Sequence, residues 1–275
     1  MASRPLTFTA GDGTRLAGEE SGTGAPLVLL HGLTATRRYV VMGSRLLERN
    51  GYRVISYDAR GHGCSGPAPA RDAYGYQHLA SDLVTVLDEL GVDRAILAGA
   101  SMGAHTAVRL ALSSPERVAA LCLITPAYDP LEPPTGRSLA AWDALARGLR
   151  QGGVQGFLDA YDFSTVPERW RATVERVVSQ RLARHEHPAA VADALEAVPR
   201  SQPFERLEQL GLIEMPTVVV GSRDEADPAH PLALAETYAR TIPSARLLVE
   251  LPGQSPLAWQ GAQLSRVIVD LISTG

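Results

Sequence analysis

The chain contains no lysine. Its positive charge is carried by arginine alone, and the formal balance is slightly acidic, a net −4 at pH 7. Nucleic acid and anionic membrane surfaces recruit proteins through concentrated positive charge, so neither is expected as a partner. Long apolar runs are missing as well. No stretch approaches the roughly 18 to 20 residues that span a bilayer, and Met1-Ala2-Ser3-Arg4-Pro5 leads directly into strand-like sequence without the apolar core of a secretion signal. The expectation is a soluble, cytoplasmic protein. Cysteine is scarce: Cys64 and Cys122 lack Cys-x-x-Cys spacing, so neither a disulfide framework nor a metal site is expected. No glycine-rich phosphate or dinucleotide fingerprint precedes a helix, and no cofactor is expected.

What is present is alternation. A short hairpin is expected at the N-terminus, with strand-like runs on either side of Gly11-Asp12-Gly13. Continuous apolar runs then recur at Pro26 to Leu30, Arg53 to Tyr57, Ala95 to Ala98, Val118 to Thr125, Thr217 to Val220 and Arg246 to Leu251. Between them lie helical patterns at Val40 to Asn50, Leu79 to Leu90, Met102 to Ser113, Pro231 to Thr241 and Gln263 to Ile272. Strands that are apolar throughout and alternate with helices imply a mostly parallel sheet covered on both faces, an α/β fold. One interval breaks the rhythm: from 128 to 209 only helix-like stretches occur, separated by proline and glycine. The expected organisation is a core of residues 1–127 and 210–275 carrying a helical cap at 128–209.

Gly99-Ala100-Ser101-Met102-Gly103 fits G-x-S-x-G and lies between an apolar strand and a helical pattern, the context in which this motif makes a nucleophile elbow. The turn forces strained backbone on the serine and leaves no room for side chains on either side, hence the glycines. Standing at a helix N-terminus, the serine meets a dipole and free N–H groups that favour negative charge.

With this elbow, Leu27 to Leu33 as a strand followed by His31-Gly32-Leu33, and Tyr57-Asp58-Ala59-Arg60-Gly61-His62-Gly63-Cys64-Ser65, nearly the whole chain resembles the α/β-hydrolase superfamily. The resemblance implies a sheet of about eight strands and a helical cap. It also implies an oxyanion hole formed by the backbone N–H groups of Leu33 and Met102. His31 and His62 are expected to fasten loops, and Arg60 to pair with local carboxylates and carbonyls.

Two further members of the family's triad are then sought. For the acid, Asp224 matches the distance from the preceding strand, Asp227 matches the spacing to Pro231, and Asp129 follows the strand before; Asp224 is favoured. The base is the departure. Where the family continues its last strand into Pro-Gly-x-Gly-His, this chain reads Leu251-Pro252-Gly253-Gln254-Ser255-Pro256, and Pro256 stands in the histidine's place. No histidine follows His230. Four histidines are weighed as substitutes: His230, which keeps the chain order Ser, Asp, His; His105, one turn into the elbow helix; and His185 and His187 in the cap.

Three functions remain open. The first is a hydrolase of a small, largely apolar ester, lactone or thioester, with Ser101 attacking and a relocated histidine as base. The second is a lyase, cyclase or isomerase on the same scaffold. The third is a ligand-binding protein without chemistry. In each the partner is a small molecule. Trp142, Phe157, Tyr161, Phe163 and Trp170 are expected either to line an apolar pocket over Ser101 or to pack the cap against itself.

Overall fold

Runs that are apolar at every position can be buried only if both faces of their sheet are covered. The structure, a computed structural model that describes residues 3–273, covers them. Its strands are β1 (Arg4–Thr9), β2 (Arg15–Ser21), β3 (Ala25–Leu30), β4 (Tyr52–Tyr57), β5 (Ala95–Ala100), β6 (Val118–Ile124), β7 (Thr217–Val220) and β8 (Ala245–Leu248). Among the described residues they form one eight-stranded sheet in the order β1-β2-β4-β3-β5-β6-β7-β8. β1, β2 and β4 pair antiparallel, and from β4 through β3 to β8 every pairing is parallel.

The helices follow in chain order: α1 (Leu46–Arg49), α2 (Tyr76–Glu89), α3 (Met102–Ser113), α4 (Gly136–Ala160), α5 (Glu168–Leu182), α6 (Pro188–Ala197), α7 (Leu232–Thr241) and α8 (Gly261–Ser273). Successive residues of a strand point to opposite faces. In β3, Val28 and Leu30 therefore join a core with Leu83, Leu87, Val108 and Tyr238 of α2, α3 and α7. Leu27 and Leu29 join the opposite core with Leu47 of α1 and Leu264 and Ile268 of α8. Each aliphatic side chain buried in this way contributes roughly 1.5–3 kcal/mol.

Two elements are shorter than expected. The helix anticipated from Val40 to Asn50 is reduced to α1, because Met42 (φ 48) and Gly43 (φ 77) adopt left-handed backbone that no α-helix continues through. The last strand ends at Leu248 rather than Leu251. Beyond it the buried carboxylate of Glu250 accepts from Ser222 Oγ at 3.2 Å and from the Leu257 N–H at 3.3 Å, joining two loops instead of extending the ladder.

Between β6 and β7 the chain forms α4, α5 and α6, with α4 kinked where Gly153 has φ 58. This helical insertion has its own core of Ala146, Leu149, Phe157, Val178, Leu182, Val191 and Leu195. No helix among the described residues is long and apolar enough to cross a membrane.

Candidate active site

β5 ends at Ala100 and α3 begins at Met102, so Ser101 alone reverses the chain, at φ 50 and ψ −113. Its N–H donates to Ile124 O at 2.9 Å and its carbonyl accepts from the His105 N–H at 3.1 Å, which pins this strained backbone. Contact dictates the flanking glycines. A Cβ on Gly99 would lie 2.3 Å from the Gly103 carbonyl, and one on Gly103 would lie 2.2 Å from Leu30 O.

The loop from β7 to α7 brings His230 to this serine. Two successive turns, Asp227 N–H to Asp224 O at 3.1 Å and His230 N–H to Asp227 O at 3.2 Å, coil the loop just before α7. His230 Nε2 then lies 2.9 Å from Ser101 Oγ, and Nδ1 lies 2.8 Å from Asp227 Oδ1. An ionised carboxylate can only accept, so Nδ1 carries the proton and the Nε2 lone pair faces the serine hydroxyl. Burial alone would raise the Asp227 pKa, but the hydrogen bond and charge of His230, joined by Arg181, outweigh it and hold the carboxyl below its ordinary value.

The acid favoured from spacing is not the one brought to His230. Asp224 Oδ2 accepts from Trp259 Nε1 at 3.0 Å and its Oδ1 from the Ala226 N–H at 3.0 Å. The two intervening turns, rather than distance from the strand end, decide which carboxylate meets the imidazole. Asp129 closes a local turn instead, its Oδ1 accepting from the Leu131 N–H at 2.8 Å. Pro256 precedes a short 3-10 helix, Leu257–Trp259, that delivers the Trp259 indole to Asp224.

The loop after β3 packs on the same serine. A Cβ on Gly32 would lie 3.4 Å from Ser101 Cβ. The Ala35 N–H donates to Gly32 O at 3.0 Å across a turn in which Thr34 has φ 66, and this turn makes no use of the Leu33 N–H. The Met102 N–H belongs to the first turn of α3, where helical donors have no helical partner. Met102 follows Ser101 directly in the chain, and Leu33 follows Gly32, the residue that packs on the serine.

Of the other histidines, His31, His62, His105 and His185 hold loops. His31 Nε2 accepts from the Ala59 N–H at 2.9 Å, and its Nδ1–H donates to Gly32 O at 2.8 Å. His62 Nδ1–H donates to Arg60 O at 2.9 Å. His105 Nε2 accepts from the Ala127 and Tyr128 N–H groups at 3.0 and 3.1 Å, so it faces the start of the insertion and not Ser101. Burial, assisted by the charge of His230, pushes its pKa down to about 3. His185 accepts from the Gly63 N–H at 2.8 Å through Nδ1 and donates to Thr34 O at 3.0 Å through Nε2, tying the insertion to two loops of the core. His187 precedes α6, its carbonyl accepting from the Ala190 N–H at 2.9 Å. Arg60 is buried and paired with Asp82 (2.7 and 2.6 Å), Asp12 (2.7 Å) and Ala73 O (2.7 Å).

Of the insertion's aromatics, Phe157 is buried in the insertion's own core, with Trp142, Tyr161 and Phe163 packed against that core, while Trp170 is 40% exposed. Tyr161 also feels the charge of Asp227. A basin of about 650 Å³ lies on the insertion, lined by Asp143, Arg147, Arg150, Gln151, Glu196 and Arg200. Its Arg150 pairs with Glu196 and its Arg200 with Asp143, so much of its charge is internally balanced. Three residues linked to the β7–α7 loop, by contact or by charge, carried no signal in the sequence. They are Trp259, Tyr39 and Arg181, the last being one arginine among many on a polar helix, with nothing in its spacing to mark it.

Residues 25–262 match the family described as alpha/beta hydrolase fold. The chain belongs to that family. Among relatives, it is 29% identical over 232 residues to a protein provisionally named carbamate hydrolase RutD from Klebsiella pneumoniae, covering 83% of this chain and 84% of the relative. It is 44% identical to a protein provisionally named non-heme haloperoxidase from Mycobacterium phage D29, but over 123 residues only, 43% of this chain and 42% of that one. Among solved structures, a thermophilic esterase from Thermogutta terrifontis superposes with a TM-score of 0.80 at 24% identity, covering 98% of each chain. In this chain the imidazole beside the serine comes from the β7–α7 loop.

Proposed function

We propose that the protein is a serine hydrolase of small esters, lactones or thioesters, with Ser101 as nucleophile, His230 as base and Asp227 as acid. The observation that carries this reading is the unbroken hydrogen-bonded chain from Ser101 Oγ through His230 to Asp227, at 2.9 and 2.8 Å. A serine hydroxyl is a weak nucleophile until a neighbouring base takes its proton, and Nε2 lies within the 2.6–3.2 Å that proton transfer requires.

In the proposed reaction Ser101 Oγ adds to the carbonyl carbon as its proton passes to His230 Nε2. The negative oxygen that forms is met by the N–H groups of Leu33 and Met102, and Asp227 stabilises the imidazolium. His230 returns the proton to the leaving alcohol or thiol, giving an acyl-serine. Water, deprotonated by His230, then releases the acid and restores Ser101. A relative named as a carbamate hydrolase supports acyl chemistry of this kind. Helices α4–α6 act as the cap over the site, consistent with His185 fastening them to the loops at Thr34 and Gly63.

The test is covalent labelling. A fluorophosphonate should add to the wild-type protein, by intact mass, and the adduct should map to Ser101. His230→Ala should slow labelling by about a thousandfold or more. A wild-type protein that remains unlabelled after prolonged incubation overturns the reading.

A further inference from the structure

Arg181, on α5, has no direct anionic partner: among the described residues its side chain makes no hydrogen bond and no ion pair, and its Nε is shielded from solvent. Elsewhere the fold pairs such groups. Arg60, Arg37 and Arg150 each meet carboxylates directly. What Arg181 has instead is the face of Trp259, whose ring centre lies 5.9 Å from its Cζ. That indole is held in turn by Asp224 at 3.0 Å.

The surroundings of Arg181 belong to the site. Burial lowers its pKa, and the groups whose charges act against that are Asp227, Tyr161 and Tyr39. Asp227 already has His230 as its hydrogen-bonded partner at 2.8 Å. Tyr161 and Tyr39 are half-buried, and no hydrogen bond engages their hydroxyls among the described residues. The geometric link from Arg181 to the site runs through Trp259: the ring faces the guanidinium, its N–H donates to Asp224 at 3.0 Å, and the Asp224 carbonyl accepts from the Asp227 N–H at 3.1 Å in the turn that leads to His230.

We infer that Arg181 is a specificity-determining residue that binds a free carboxylate on the substrate. The inference rests on the hydrolase reading above and narrows its substrate class to carboxylate-bearing esters or lactones. A guanidinium presents two parallel N–H donors that match a carboxylate. A single cation without a direct ion pair matches one negative charge and so suits a carboxylate better than a dianionic phosphate. The Trp259 face keeps the guanidinium plane in place by cation–π contact. This revises the expectation of a largely apolar substrate: the reacting end sits at Ser101 and a charged end at Arg181.

The experiment has two arms. In the first, the wild-type protein hydrolyses mono-p-nitrophenyl glutarate, an anion, and p-nitrophenyl butyrate, a neutral ester. The ratio of kcat/KM should favour the anion by about tenfold or more, and Arg181→Met should reduce that ratio by about thirtyfold, mostly through KM. Arg181→Lys, which keeps the charge but not the fork, should lie between the two. In the second arm, calorimetry on Ser101→Ala protein should detect glutarate binding that weakens at least about tenfold with Arg181→Met added. Glutaramide should not bind detectably. If the wild type prefers the neutral ester, or glutarate binds no better than glutaramide or less well than inorganic phosphate, the inference falls while hydrolysis stands. If neither ester is turned over but glutarate still binds through Arg181, the hydrolase reading falls and the carboxylate site stands. Should Arg181→Met fail to fold, the wild-type ratio, the lysine variant and the glutarate comparison decide alone.

Discussion

The Trp259 indole N–H donates to Asp224 Oδ2 at 3.0 Å. That bond joins the aspartate favoured by spacing to the short helix that follows Pro256. Asp224 has the expected spacing from β7, and Trp259 follows three residues after Pro256, where the family resemblance places a histidine. Asp224 steadies this indole, while three residues further along Asp227 meets His230.

The two aspartates should therefore separate under mutation. Asp227→Asn removes the acceptor that fixes the His230 tautomer and should lower kcat by about a thousandfold to ten-thousandfold. Asp224→Asn keeps an oxygen for the indole and should stay within about fivefold. Steady-state hydrolysis of a p-nitrophenyl ester by both variants checks the order, and an equal loss in both would count against Asp227 as the acid.

Restoring the family's residue should gain nothing. His230→Ala should cost about four to six orders of magnitude in kcat. Pro256→His, made in the wild type, should change activity by less than about threefold, because Ser101 already has an imidazole at 2.9 Å. The same assay on Pro256→His protein decides, and a large gain would mean that His230 is not the working base.

The elbow should tolerate no side chain. Gly103→Ala places a Cβ against the Leu30 carbonyl of the central strand, at a separation of 2.2 Å before relaxation. Neither the strand nor the helix can move away cheaply, so the expected cost is at least about 3 kcal/mol. A fall in Tm of about 6–12 °C, or loss of soluble protein, follows for a chain of this size.

Acid should destabilise the protein before its carboxylates titrate. Burial, the largest effect on each, holds His105 at about 3 and His185 at about 4, against 6.5 for an unburied imidazole. Around His185 stand His31, Asp58 and Arg181, with the Thr34 carbonyl as hydrogen-bond acceptor. Below pH 6.5 the unfolded chain takes up protons that these folded imidazoles refuse, so stability falls as pH falls, by about 2 kcal/mol per imidazole at pH 5. Urea unfolding at pH 7 and pH 5 measures the loss, and His185→Gln should shrink it by about that amount. A variant with an undiminished loss would show that His185 is not buried neutral.

Much of this protein is legible along the chain because its signals are local. The β5–Ser101–α3 turn is written in five consecutive residues, since a side chain at Gly99 would meet the turn's own Gly103 and one at Gly103 would meet Leu30 of the adjacent strand β3. The apolar runs announce a sheet covered on both faces, since alternate residues of one short strand serve two cores. The helical insertion shows as a long interval without a strand. Other features were decided only when distant segments met. Asp224 and Asp227 are equivalent as letters, and two turns choose between them by setting which carboxylate faces His230. The aromatics of the insertion could have faced a pocket or one another, and helix packing sent Phe157 into the insertion's own core and left Trp170 exposed. Arg181 looks like any arginine on a polar helix, and only the tertiary fold sets it against Trp259 and within the field of Asp227. Spacing along the chain records what a residue does to its neighbours in sequence. It holds no record of which side chain, brought from 129 residues away, completes a hydrogen bond to Ser101.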